Sequence, residues 1–433
     1  MEKQEEGNGF ENYCKEIFES GPFSGYKAEL HVIHGKQKEV VVANAEKQTV
    51  TNFCSNNYTG LAADDRIIEA AKKTLDTHGY GLSSAPLMCG FQDIHQTLER
   101  KLSTFHGTQD TLLYPSGYHT NVGIFAACFG REDAIFSDEN NHSSIIDGVK
   151  LSRAKKYVYN HLDLENLEEC LKQAEGARFR CIVTEGIFSM EGDILNLPKY
   201  LALAKKYKAI FYLDECHATG VIGKTGRGSV EYWGVDPSEV DLISSTLGKA
   251  ISGGGGGYTT GKKYMIEYLR QTSKTFIFSN SLCSPIIGAS IRALEIFEED
   301  PEIFSRIRDK GAYFRKNMQK KGFTIYGDDD CPICPVSVVD EHLAKHFEVQ
   351  MFKKGYYTIG LGFPLFPQGM SRLRIIVTAN HTYEQIDGLI QAFVEIADGC
   401  NFWKNLENYE EKVSAGKVIG KPDWWKPIAG AKM

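Results

Sequence analysis

Four short apolar runs, each closing on a polar residue, constrain the fold of this chain more than any other feature. They are "DAIFSD" (133–138), "RCIVTEG" (180–186), "AIFYLDE" (209–215) and "VDLISST" (240–246). Each is rich in Ile, Val, Phe or Leu along its length rather than at alternate positions only. A strand that is apolar on both faces must be covered on both faces. Amphipathic patterns such as "LENLEECLKQAE" and "LPKYLALAKKY" lie between the runs and supply that cover. This is the strand–helix–strand rhythm of an α/β fold with a mostly parallel sheet. In open sheets of this kind ligands bind beyond the carboxyl ends of the strands. There the sequence places Asp138, Glu185, Asp214 and Thr246. One such residue is ordinary cap chemistry, but four together predict a polar site.

Beyond about residue 295 the rhythm changes. A helix over "SPIIGASIRALEIFEEDPEIF" leads into strand-like stretches in "GFTIYG", "PICPVSVVD", "GYYTIGLGFP" and "SRLRIIVTAN", with helical patterns at 341–354 and 383–398. The expected division is an N-terminal arm (1–60), a large domain (61–295), a small α+β domain (296–398) and a C-terminal extension (399–433). A chain of 433 residues is too long for one simple core, which fits this division. The net charge of −7 gives no basis for a nucleic-acid or anionic-membrane partner. No apolar run approaches the roughly 20 residues that a membrane span needs. The opening "MEKQEEGNGFENYCKEIFES" is acidic and polar, without the parts of a secretory or transit peptide, so a cytoplasmic location is expected. The 11 cysteines form no framework and read as reduced core residues. Cys331 and Cys334 in "CPIC" read as part of a short strand, and no metal is expected.

Lys249 follows the last of the four runs, and five glycines, Gly253–Gly257, follow it closely. Glycine costs about 1 kcal/mol against alanine in regular structure, so the run marks close packing or a tight turn. The lysine precedes the glycines, which excludes a Walker loop. A lysine beyond a strand end can form a Schiff base if its amine is partly deprotonated. Alone it would read as a solvated surface charge, but its company changes that. Asp214 closes an apolar strand, where a carboxylate needs a cationic partner, and a protonated pyridine nitrogen is one. "YPSGYHTN" puts Ser116, Gly117 and Tyr118 at a helix start, where N–H groups and the helix dipole favour a phosphate. Lysine, aspartate, phosphate turn and an imidazole or aromatic to stack on the ring together describe a site for pyridoxal 5'-phosphate.

The blocks "NFCSNNYTGL", "HGYGLSS", "CGFQDIHQTLE", "NHSSIIDGV", "TEGIFSMEGD", "LDECHATGVIGKTGRGS", "STLGKAISGGGGGYTTG", "FSNSL" and "SRLRIIVTANHT" run in one order from roughly residue 50 to 398. In them the chain resembles the α-oxoamine synthase family of fold-type I pyridoxal phosphate enzymes, nearest to its acetyltransferase branch. The resemblance implies a homodimeric transferase with active sites at the subunit interface. It implies condensation of an amino acid, glycine foremost, with an acyl-CoA, acetyl-CoA foremost, releasing CoA and a 2-amino-3-keto product. Lys249 would bond the cofactor and later move the α-proton, and Asp214 would pair with the ring nitrogen. His142 would stack on the ring and polarise the thioester, and His217 would approach the ring 3-oxygen with Ser189. Gly117 and Tyr118 would give backbone N–H groups to the phosphate, and Thr246 its hydroxyl. Ser279, with Asn280 as its rival, would reach the phosphate from the other subunit. Asn56 and Arg374 would clamp the substrate carboxylate, which an arginine can hold bidentately.

Taken singly, several of these have plainer readings: Asn56 as an Asx-turn, Ser189 as a turn cap, His142 as a loop histidine, and Arg374 as an exposed residue of an edge strand. The chain also departs from the family. It reads "SAPLMCGF" where the acetyltransferase branch has "SVRFICGT", so Pro86 replaces an arginine and Phe91 a threonine. Both changes fit an altered acyl group or amino acid, and a decarboxylating relative is the alternative reading. An aminotransferase would place a tyrosine where His217 stands. A non-catalytic partner subunit would be expected to lose Lys249.

Overall fold

The computed structural model describes residues 13–14, 34–38, 41–43, 49–362, 365–366, 369–400, 402–403 and 406. Seven strands form the main sheet, in the spatial order Asp110–Tyr114, Gly257–Gly261, Leu242–Thr246, Ile210–Asp214, Arg180–Glu185, Ala134–Asp138 and Lys155–Tyr159. Each of the four apolar runs is one of them. Phe136, Ile182, Val183, Leu213 and Ile243 have no exposed surface, as strands covered on both faces require. The pairs from Leu242–Thr246 to Lys155–Tyr159 are parallel. Gly257–Gly261 alone runs antiparallel to both its neighbours. The chain between it and Leu242–Thr246 contains no helix to carry a crossover, so it can only double back. The parallel register sets Glu185 beside Asp214 and Asp214 beside Ser244, which gathers the polar strand ends on one rim.

The single helix expected over 284–304 is two. Ser284–Glu299 ends before Pro301, and Glu302–Lys320 begins after it. Proline lacks the N–H that a continuous helix needs there, and its ring clashes with the preceding turn. The helix Ser284–Glu299 packs on Asp65–His78 against the main sheet's core.

A second, antiparallel sheet has the order Ile333–Val339, Ser371–Ile376, Ile359–Leu361. Ser371–Ile376 is therefore a central strand, not an edge, and every residue in it is buried. "GFTIYG" contributes only an isolated bridge, Ile325 to Val336. "GYYTIGLGFP" divides: Ile359–Leu361 joins this sheet, while Tyr356–Tyr357 pairs in parallel with Thr49–Asn52 in another. That pairing leads the chain past the small core, where Phe53 is buried with Phe314, Phe347 and Phe393. Ile376 N then donates to Phe53 O and Ala379 N to Tyr58 O, both at 2.8 Å. These bonds lay residues 53–58 along the end of the Ser371–Ile376 strand and bring Asn56 to Arg374.

Phe402 and Trp403 pack on Phe323. Most of the rest of the C-terminal extension, and most of the N-terminal arm before residue 49, lie outside the described residues. No helix among the described residues is long and apolar enough to cross a membrane.

Candidate active site

The helix Gly117–Cys128 starts where the sequence places it. Ser116 caps it, its Oγ accepting from His119 N at 3.2 Å. Gly117 and Tyr118 thus occupy the first turn, whose N–H groups no intrahelical acceptor can satisfy. The glycine run folds onto this turn from behind. Gly253, Gly255 and Gly256 take φ of +75°, +104° and +95°, which lets the chain reverse. Gly257 is required for a different reason: a Cβ there would stand 2.4 Å from Ser116 C and 2.5 Å from Gly117 N. Overpacking against backbone costs about 1–3 kcal/mol, so Gly257→Ala is expected to lower stability by that order and to push the 116–118 turn out of place. Thermal unfolding and cofactor titration measure the two effects, and a variant unchanged in both would show that the contact is slack. Thr246 closes the same corner, its Oγ1 donating to Gly256 O at 2.9 Å and accepting from Gly248 N at 3.1 Å. A Cβ on Gly117 would lie 3.4 Å from Thr246 Cβ, so the hydroxyl-bearing side chain borders the turn.

Lys249 Nζ lies 2.8 Å from His217 Nε2, and His217 Nδ1 lies 2.7 Å from the Tyr58 hydroxyl. Burial, then the Lys249 charge, push the His217 imidazole well below its ordinary range, so it is neutral. With Lys249 as an ammonium, Nε2 accepts from it and Nδ1–H donates to Tyr58. Burial also pushes the Tyr58 phenol up, which keeps it protonated.

Asp214 is 3% exposed, with Oδ1 accepting from Cys216 N at 2.8 Å and Oδ2 from Asn121 Nδ2 at 2.7 Å. Asn121 is fixed in turn: its Oδ1 accepts from the Tyr212 and Ser244 hydroxyls. The same amide nitrogen donates to Ser144 Oγ at 2.8 Å, and Ser144 Oγ is 2.7 Å from His142 Nδ1. His142 caps the helix Ser143–Ser152, Nδ1 accepting from Ser144 N, which leaves the neutral ring's hydrogen on Nε2. Its backbone N–H donates to the buried Glu185 carboxyl. Burial, then the neighbouring Asp214 charge, drive Glu185 well above the usual carboxylate range. Asp214 and His142 thus belong to one network spanning five secondary-structure elements.

Arg374 is 7% exposed. Its Nε donates to Ser189 O at 2.7 Å and its Nη2 to Asn56 Oδ1 at 3.2 Å. No carboxylate among the described residues pairs with it. Arg372, two residues back, is also buried, its guanidinium 3.9 Å from the Phe366 ring centroid and 4.8 Å from that of Tyr326. Burial of both arginines corrects the edge-strand reading: each is enclosed by the 189–190 backbone and a neighbouring loop.

Lys249, His217, Asp214, His142, Thr246, Gly117, Tyr118, Asn56 and Arg374 therefore converge around the carboxyl ends of the central strands. Ser189 joins them through its carbonyl rather than its hydroxyl. Ser279 and Asn280 do not join: neither side chain makes a hydrogen bond among the described residues, and Phe278 beside them is 78% exposed. Asn280 instead lines a small cavity with Pro86, Phe91 and Ser281. Cys331 and Cys334 are buried, and burial raises the Cys331 thiol to about 12. Tyr58 and Asn121 were not singled out in the sequence. Asn121 sits one helical turn beyond Gly117 and so shares its face, a spacing that could have flagged it. Tyr58 bonds a residue 159 positions away, which no local pattern shows.

The arrangement fits pyridoxal phosphate by its unmet needs. Asp214 is a buried carboxylate with no lysine, arginine or histidine among the described residues in an ion pair with it, and a ring N–H⁺ would supply that cation. The free N–H groups at Gly117 and Tyr118 suit a phosphate, and Lys249 suits a carbonyl carbon.

Residues 48–393 match the family described as aminotransferase class I and II. The mitochondrial 2-amino-3-ketobutyrate coenzyme A ligase of Mus musculus is 44% identical over 365 residues, 84% of this chain and 87% of that protein. The 2-amino-3-ketobutyrate coenzyme A ligase of Escherichia coli K12 is 44% identical over 373 residues, 86% of this chain and 93% of that protein. A serine palmitoyltransferase from S. paucimobilis, solved with a bound PLP–myriocin adduct, superposes with a TM-score of 0.82 at 24% identity, covering 90% of this chain and 97% of that one.

Proposed function

This chain belongs to the aminotransferase class I and II family, in its α-oxoamine synthase branch, and we propose that it condenses glycine with acetyl-CoA to release CoA and 2-amino-3-ketobutyrate. It is a pyridoxal-phosphate-dependent acyltransferase. The observation that carries the reading is Lys249 Nζ, 2.8 Å from a neutral His217 that also feels the charge of buried Arg374, which no carboxylate among the described residues pairs with.

When bound, pyridoxal phosphate supplies an electron sink that stabilises negative charge on the α-carbon of an attached amino acid. The protein's residues do the rest. Gly117 and Tyr118 N–H groups would hold the phosphate, joined by the Thr246 hydroxyl once it turns its hydrogen from Gly256 O. Asp214, held by Asn121 and Cys216 N, would keep a proton on the ring nitrogen. His142, fixed by its helix cap and by Glu185, would cover the ring and offer its Nε2–H to the thioester oxygen. Arg374 and Asn56 bind the glycine carboxylate and so orient the α-hydrogen. Lys249 takes that proton, and the neutral His217 accepts a hydrogen bond from the ammonium that forms.

A homodimer belongs to the same reading. Neither Ser279 nor Asn280 makes a side-chain hydrogen bond among the described residues; Phe278 beside them is 78% exposed, and Tyr80 and Met88, either side of the Ser84 whose carbonyl accepts from Ser281 N, are 74% and 82% exposed. These segments would meet a second copy, where Ser279 reaches its phosphate. The reading also keeps the cytoplasmic location and the division at about residues 60, 295 and 398.

The test is a panel of acyl-CoAs against Gly, Ala, Ser and Thr, following CoA release and product mass. Glycine with acetyl-CoA is expected to give the fastest release, with its carboxylate retained in the product. Release by another pair, or loss of carbon dioxide, would move the enzyme to another member of the branch and implicate Pro86 and Phe91 in the change.

A further inference from the structure

The segment after Arg180–Glu185 is a small hairpin closed by the Ile187–Ile194 bridge. Phe188 N donates to Asp193 O at 3.0 Å, and Gly192 N to Phe188 O at 2.9 Å. Its tip hands Ser189 O to Arg374 and Met190 O to Arg372. Under its base lies His161, outside every role assigned above. His161 Nδ1 is 2.8 Å from Asp138 Oδ1, and Nε2 is 3.2 Å from Asp193 Oδ2. The ring also stands edge-on to Phe188, with centroids 4.4 Å apart. Asp138, its side chain fully enclosed, is locked by Asn140 N and Leu162 N as well.

Both ring nitrogens of His161 therefore face carboxylates, and only an imidazolium can donate to both. We propose that His161, with Asp193, is a positioning residue for the amino-acid substrate: as a cation it clips the hairpin to the fixed end of the Ala134–Asp138 strand, and so holds the Ser189 carbonyl that aims Arg374. The inference rests on the reading of Arg374 as the carboxylate clamp. The charged groups facing the ring are Asp138 and Asp193, with Glu191 on the hairpin tip. Glu139 accepts from the His161 backbone N–H at 3.2 Å. Burial alone would lower the imidazole's pKa, but the hydrogen bonds to Asp138 and Asp193 carry it to about 10. A raised pKa gives stability that is fully present below the unfolded value of about 6.5 and lost as pH rises through about 10. At neutral pH the clip is closed.

The test is a spectral titration of the holoenzyme with glycine, without acyl-CoA, for wild type, His161→Gln and Asp193→Asn. His161→Gln is expected to weaken glycine about tenfold and Asp193→Asn about threefold, while cofactor affinity and kcat at saturating glycine hold within about twofold. A residue serving stability alone would not separate glycine affinity from the other two. Asp193→Asn preserves side-chain shape and the Asp138 pair, so it decides the matter if His161→Gln fails to fold. Unchanged glycine affinity in folded variants, or equal loss of glycine and cofactor binding, overturns the proposal. A wild-type spectrum indifferent to every amino acid overturns the proposed function itself, and this inference with it.

Discussion

Lys249→Ala is expected to leave a folded protein with turnover reduced by about four orders of magnitude or more. The size of the loss follows from the two jobs the residue holds. In the proposed mechanism its amine bonds the cofactor and is also the base that takes the α-proton. His217 cannot substitute: its imidazole is buried and occupied by Tyr58 on its far side. The structural cost is small by comparison. Among the described residues the Lys249 side chain makes one hydrogen bond, to His217, and it stands on a turn that Leu247, Gly253 and Gly256 close through the backbone. Stability should therefore change by no more than about 1 kcal/mol. The measurement pairs kcat with borohydride trapping of the cofactor. Wild type should retain the cofactor covalently after reduction, and Lys249→Ala should not. Covalent retention in the variant would assign the bond to another lysine and end the present reading of the site.

The parts of this site that could be read in the sequence are those with a local cause. A strand buried on both faces shows as a continuous apolar run, so Asp138, Glu185, Asp214 and Thr246 were recognisable as strand ends before any coordinates. Ser116 could be read as a helix cap from its own neighbourhood, and so could Lys249 as the residue before a tight return. The break at Pro301 has a local cause too, the missing N–H, yet the apolar periodicity running across it reads as one helix. What could not be read depends on which distant segment lies alongside. Whether Ser371–Ile376 is central or an edge depends on the arrival of Ile333–Val339 and Ile359–Leu361 on either side. That Tyr356–Tyr357 and Ile359–Leu361 join different sheets depends on Thr49–Asn52, some three hundred residues earlier. The same limit hid the atom through which Ser189 acts. A serine in a motif suggests its hydroxyl, but the hairpin turns its carbonyl to Arg374 instead.

Arg374→Gln is expected to raise the KM for glycine by about a hundredfold while changing kcat little, because two charge-assisted hydrogen bonds to a carboxylate are lost together. Arg374→Lys should fall between, at about tenfold, since a lysine keeps the charge but cannot present two parallel donors. The stability readout should move the other way. In the resting protein Arg374 is a cation at 7% exposure, held by one carbonyl and one amide oxygen, with no carboxylate among the described residues to offset its desolvation. A neutral glutamine of similar reach can keep a bond to Ser189 O or Asn56 without that desolvation. The variant's Tm should therefore be equal to or above that of wild type, even as glycine binding collapses. This opposition separates a substrate clamp from a structural arginine. Arg315 provides the contrast within the same chain: 1% exposed, it donates to Tyr326 O, Cys331 O and Ile333 O, and ties a helix to the small sheet. Arg315→Gln should lower Tm, because three backbone acceptors would be orphaned. If Arg374→Gln instead lowers Tm and leaves the KM for glycine unchanged, Arg374 is of the Arg315 kind, and the carboxylate must bind elsewhere.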